Sequence, residues 1–109
     1  MKLADKILAV SLKQETLDVP EWDAKIGIRE MTVEQRLKFG EDAKKWPAVA
    51  MARLVIASTF DPATGKPIFE AAHHDAIVNM PGAVIDRIVT EICRISGLGA
   101  EPAEAAEKN

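Results

Sequence analysis

Glu70, His73, His74 and Asp75 are the densest group of potential metal ligands in the chain, because a carboxylate and imidazoles can together hold a divalent ion. On a helix, Glu70 and His74 share one face, while the adjacent His73 and His74 diverge by about 100° around the axis. A stable site needs three or four protein ligands, and no second Glu-x-x-His pair or cysteine pair supplies the remainder. We read the group as an ordinary solvated helix face and expect no metal.

Other chemistry is weaker still. Thr64-Gly65-Lys66-Pro67 has the Gly-Lys of a phosphate loop, but that motif requires a glycine where Phe60 stands and a hydroxyl where Pro67 stands. Asp, Pro and Gly each have a turn role here, so the segment reads as a turn. Cys93 is the only cysteine and falls in an apolar helical pattern, where a thiol is inert and no internal disulfide can form. Ser11, Ser58 and Ser96 lack a Gly-x-Ser-x-Gly setting, and Glu101 and Glu104 sit in an Ala/Glu-rich tail. The sequence therefore predicts no enzyme, no catalytic residue and no cofactor.

Recognition falls to the aromatics. The chain has two Trp, three Phe and no Tyr. Trp22, Trp46, Phe60 and Phe69 are the candidate partner-binding residues, since aromatics are enriched among interface anchors. Trp22, at an expected hairpin turn, either folds back on the helices or contacts a partner. Phe60 and Phe69 flank the turn over residues 61–67 and are expected to clamp it.

The elements that must position these residues follow from periodicity. In residues 3–10, Leu3 and Ile7 share a face beside Ala4 and Leu8, a short helix or extended arm. Leu17/Val19 and Ile26/Ile28 alternate with period two around Pro20-Glu21-Trp22-Asp23, which predicts a β-hairpin that must dock on helices to persist. Thr32 and Gln35 form a capping box for a helix with Val33 and Leu37 on one stripe and Phe39, Ala43 and Trp46 on another. Gly40 weakens that helix, and Pro47 ends it and opens the next.

Residues 48–57 are apolar almost all round and predict a central buried helix, although the Val55-Ile56 end also fits a strand. A turn over 61–67 leads to a short helix over 70–78. In the last helix Val84, Ile85, Ile88, Val89, Ile92 and Ile95 form one broad stripe, opposite a solvated ladder of Arg87, Glu91 and Arg94. Gly97 is placed to cap it. The fold class expected is α+β, mainly α-helical, with an N-terminal β-hairpin packed on a small helical bundle. Residues 1–99 are expected to form one domain and 100–109 a disordered tail.

Composition bounds the rest. Of 109 residues, 48% are hydrophobic and 28% charged, as in globular rather than disordered chains. A net charge of −3 with interspersed cations argues against a nucleic-acid partner. Arg53 interrupts the longest apolar run, which is far short of the ~20 residues a membrane span needs, so no membrane is expected. The acid at Asp5 and the short apolar stretch after it are unlike a signal peptide.

Taken in order, these segments resemble one family, the tail assembly chaperones of bacteriophages with long non-contractile tails. The resemblance runs through Ile7-Leu8-Ala9-Val10, Thr16-Leu17-Asp18-Val19-Pro20-Glu21-Trp22, Ile26-Gly27-Ile28-Arg29, Met31 to Arg36, Leu54 to Ser58, Asp61 to Phe69, and Ile92 to Leu98. Val-Pro-Glu-Trp and Asp-x-x-x-Gly-Lys-Pro-x-Phe carry most of it. The resemblance implies a non-catalytic late protein of the host cytoplasm, absent from the mature virion. Such a protein binds the tape measure protein, helps tail tube protein polymerise around it, and self-associates as a homo-oligomer. It also implies, in many phages, a frameshifted longer product, and Glu107-Lys108-Asn109 is compatible with an A-rich slippery run. Two other classes fit the residues: a small adaptor or regulatory protein binding a host factor, and a metal-dependent enzyme using Glu70, His73 and His74.

Overall fold

The computed structural model describes residues 2–98, so the tail expected to be disordered lies outside the described residues. In order, the chain forms α1 (Leu3–Leu8), β1 (Gln14–Val19), a 3₁₀ turn (Pro20–Trp22), β2 (Ala24–Arg29), α2 (Val33–Lys45) and α3 (Pro47–Ser58). After these come β3 (Thr59–Phe60), a second 3₁₀ turn (Ala71–His73), α4 (His74–Val78) and α5 (Gly82–Ile95). The architecture is α+β and mainly helical, as the periodicities indicate.

Helix α5 is the keel. Its stripe of Val84, Ile85, Ile88, Val89, Ile92, Cys93 and Ile95 is buried without exception. Leu54 and Val55 of α3, Ile77 of α4, and Val19, Ile26 and Ile28 of the hairpin complete the same core. The helix ends in a left-handed glycine, Gly97 at φ +84, and the Leu98 amide returns to the Cys93 carbonyl at 2.9 Å.

Strands β1 and β2 pair antiparallel with Leu17 opposite Ile26 and Val19 opposite Ala24. The 3₁₀ turn between them closes on Asp23, which takes the left-handed conformation at φ 49 that Asp tolerates better than most side chains. The hairpin expected as a two-stranded unit gains a third strand. Thr59 and Phe60 pair with Ile28 and Gly27, so β2 is central in the order β1-β2-β3. Residues 55 and 56 stay helical, and the extended chain begins only at Thr59, whose hydroxyl donates to the Val55 carbonyl at 2.6 Å.

Gly27 has a packing role. A Cβ built there would lie 2.3 Å from the Phe60 ring, so the ring covers the strand only because residue 27 has no side chain. The Arg29 guanidinium, two residues along and on the same face, lies 4.7 Å from the centre of that ring.

The polar face of α5 keeps the expected exposed Glu91–Arg94 pair and is also engaged by the hairpin, which helical spacing does not announce. Arg87 donates two hydrogen bonds to the Glu21 carboxylate, at 2.7 and 2.9 Å, and Arg94 bridges Glu91 and Glu15 at 3.0 and 2.6 Å. Both arginines thus fasten the hairpin along the helix. The periodicity of α5 marks this face as outward but carries no information about the strand that crosses it.

Helix α2 starts at its Thr32 capping box, with both reciprocal bonds formed at 2.9 and 3.1 Å. Met31 donates its amide to the Ser96 hydroxyl and Arg36 donates to the Ser96 carbonyl, tying the start of α2 to the end of α5. Pro47 opens α3 as expected.

Two glycines make opposite predictions. Gly27→Ala must displace the Phe60 ring and should destabilise by about 1–3 kcal/mol, as overpacking does. Gly40 faces open space, so Gly40→Ala should stabilise by about 0.5–1 kcal/mol through helix propensity. Chemical denaturation checks both; equal effects of one sign would contradict the placement of β3 against β2.

A pH series tests the hairpin clamp. The Arg87 hydrogen bonds hold the Glu21 carboxyl at about 2, below its ordinary 4.5. Protonation is therefore disfavoured in the folded state, and the pair stabilises fully above pH 4.5, fading as pH falls toward 2. Arg87→Ala should melt below wild type at neutral pH, with the two melting temperatures converging on acidification. A constant gap would contradict the pair.

Candidate partner-binding surface

The metal-ligand candidates are separated by backbone geometry. Glu70 lies outside any helix, in an extended conformation, and its amide donates to His73 Nδ1 at 2.9 Å. The expected helix over 70–78 is instead a 3₁₀ turn followed by α4, so Glu70 and His74 do not share a helix face. Among the described residues, no three His, Cys, Asp or Glu side chains are grouped to hold an ion.

The turn over residues 61–67 and Cys93 are spent internally, while Glu101 and Glu104 lie outside the described residues. Asp61 accepts from the Ala63 amide at 2.8 Å, and its carbonyl accepts from Gly65 at 2.7 Å. That turn closes on itself and points no amide cradle outward. Cys93 is wholly enclosed, and burial pushes its thiol up to about 11, so it stays protonated and unreactive at neutral pH.

Of the four aromatic candidates, the structure brings two together. Trp22 and Phe69, both half-buried, meet edge to face at 6.2 Å, and Phe69 meets the His73 ring in the same way at 6.1 Å. Phe60 is enclosed between Gly27 and Arg29. Trp46 stands apart at the break between α2 and α3, 56% exposed, with the Lys45 ammonium 5.9 Å from its ring centre. The rings of Phe60 and Phe69 thus make separate contacts, while the Phe60 backbone bridges Pro67 and closes the turn between them.

The largest apolar exposure lies elsewhere, on α2 and the N-terminal arm. Val33 is 80% and Leu37 67% exposed, and Leu3, Ile7, Leu8 and Val10 are at least as free as a surface residue. Residues 48–57, by contrast, spend Ala50, Ala52, Leu54 and Val55 in the interior. The Val33/Leu37 stripe is visible in the sequence at i,i+4. Its exposure is not, because periodicity identifies an apolar face without showing whether the chain has anything left to cover it.

Helix α2 packs beside α3 and is joined to it by an ion pair. Asp42 is its one buried residue, 2% exposed, and accepts from Arg53 Nη1 at 2.9 Å with Lys38 Nζ at 3.4 Å. Burial alone would raise the Asp42 carboxyl, but the Arg53 and Lys38 hydrogen bonds outweigh it and keep its pKa below the ordinary value. Between the two helices runs a groove of about 470 Å³ lined by Leu37, Phe39, Ala50, Leu54 and Ala57, with Glu34 and Glu41 also along it. Such a surface can take apolar side chains from a partner.

Chelation should therefore change nothing. EDTA is expected to leave the melting temperature unaltered, and elemental analysis to find no stoichiometric metal. One zinc or iron per purified chain would contradict this reading of Glu70, His73 and His74.

No family model matches this sequence, and no curated protein matches it either. Among solved structures, the tail assembly chaperone of bacteriophage HK97 is similar to this chain, at 22% identity and a TM-score of 0.65. The likeness spans 86% of this chain and 98% of that one. The chain therefore has the fold of that tail assembly chaperone over nearly the whole of its length.

Proposed function

We propose that this protein is a non-catalytic phage tail assembly chaperone that holds the tape measure protein in the host cytoplasm and assists polymerisation of the tail tube protein around it. The observation that carries this reading is the shared fold with a tail assembly chaperone across almost all of both chains. Fold alone does not fix function, so the surface must also suit the task. It does. A tape measure is a long helical chain with apolar faces, and the exposed Val33, Leu37 and Trp46, with the α2–α3 groove, offer apolar contact without reactive groups. The protein also self-associates in this reading, which covers apolar surface that a chain of this size leaves free. It acts without nucleic acid, membrane or cofactor, and is absent from the mature virion.

Apolar burial drives such contacts, and salt screens only the charged contribution. Co-expression with the tape measure protein, and capture of one by a tag on the other, should give a soluble complex at both low and high salt. A tape measure equally soluble without this chain, and never captured with it, contradicts the proposal.

A further inference from the structure

We propose that the arm formed by residues 3–12 is a strap that folds back along α2 of its own chain, covering Val33 and Leu37 until a partner displaces it. The inference rests on the functional reading only where it names that partner. The contact itself belongs to this chain alone.

The arm is made of parts that need a surface. Helix α1 has six residues, none of them buried, and no side chain caps its start. Isolated helices below about 12 residues are marginal in water, so a helix this short persists by packing. The side chains for that packing are present. Leu3 and Ile7 stand one turn apart with Leu8 beside Ile7, at 72%, 60% and 81% exposure. Asp5 and Lys6 cancel, and residues 3–12 hold no other charge, so apolar contact decides where the segment settles. In the structure the strap stands open, with every residue from 2 to 13 exposed.

The tether decides which surface it meets. The Lys13 amide donates to the Glu30 carboxylate at 2.7 Å, and the Glu30 amide returns to the Lys13 carbonyl at 2.9 Å. That anchor fixes the foot of the arm three residues before Val33, where α2 begins. Residues 9–12 span up to ~13 Å when extended and α1 is ~9 Å long, so the helix reaches the first turns of α2. There Val33 and Leu37 repeat the one-turn spacing of Leu3 and Ile7. Entering from the foot, α1 lies antiparallel to α2, with Ile7 and Leu8 over Val33 and Leu3 over Leu37. Among the described residues, the other large exposed apolar side chains outside the arm are Trp46, at the far end of α2, and Val78, single on α4. The Val33/Leu37 stripe is therefore the apolar pair within reach. A short flexible linker presents its end at ~millimolar effective concentration, so at micromolar protein the chain's own arm meets the stripe before a second copy does.

The test reads the contact on the full chain. A nitroxide is attached at Lys2→Cys, Cys93 being enclosed, and broadening of amide signals is followed by NMR at micromolar concentration. The amides of residues 33–37 should broaden in a chain both labelled and isotope-enriched, and recover when Ile7→Asp and Leu8→Asp are added. Both positions are exposed, so this variant should keep the wild-type melting behaviour. Equal broadening with and without the two aspartates overturns the strap, and so does broadening in neither. A mixture of labelled, unenriched chain with enriched, unlabelled chain should show none at these amides. Broadening in that mixture places the contact between copies and overturns the inference. A soluble segment of the tape measure then probes displacement. The aspartate variant should bind it more tightly by the inverse of the open fraction, ~tenfold if the strap is shut nine-tenths of the time. Equal or weaker binding by the variant overturns the displacement. A segment that neither form binds contradicts the functional reading, while the broadening by itself decides the strap.

Discussion

One buried stripe organises this fold. Helix α5 presents seven enclosed side chains, and strands, α3 and α4 reach stability by laying their own apolar faces against it. Core side chains of this kind typically contribute about 2–5 kcal/mol each against truncation to alanine, a large share of the 5–15 kcal/mol that holds a domain together. The hairpin would be marginal alone, and here it lies along the keel with Val19, Ile26 and Ile28 inward and Glu15 and Glu21 fastened to Arg94 and Arg87. Hydrophobic contact supplies the energy. The two arginine contacts, each about half in solvent, fix register more than they add stability.

Helix α2 obeys a different rule. It contributes no apolar side chain to full burial: Phe39 packs partly against the core, and the Ser96 bonds at one end and the Asp42–Arg53 pair near the other tie the helix down by polar contact. A helix held by polar tethers can leave its apolar stripe free, and Val33 and Leu37 are free. The arm does the same at the other end of the chain. Both surfaces are costly to leave in water and are natural contact surfaces.

Much of this was legible from residue patterns, wherever the cause is local. The α5 stripe, the period-two hairpin, the Thr32-x-x-Gln35 box, the Pro47 restart and the Gly97 cap each depend on neighbours within a few positions, and each stands as read. Two of the misreadings have a non-local cause, and a third is a local matter of where a helix starts. Strand β3 is two residues long and exists because Gly27 makes room for Phe60 from a distant segment. Arg87 finds Glu21 across 66 positions, which no helical spacing can announce. Glu70 falls just outside the helix that would have aligned it with His74, and a one-turn shift in a boundary is below what periodicity resolves. For the aromatics, residue type nominated four side chains, and geometry then divided them among a Trp22–Phe69 cluster, an enclosed Phe60 and an exposed Trp46.

The central claim is that apolar burial on these free surfaces holds a helical partner. Calorimetric titration of the full chain into a soluble segment of the tape measure, repeated across temperature and salt, tests it most directly. The account predicts a clearly negative heat-capacity change with affinity that barely moves as salt rises. A heat-capacity change near zero, with binding that disappears at high salt, would show an electrostatic contact and contradict it.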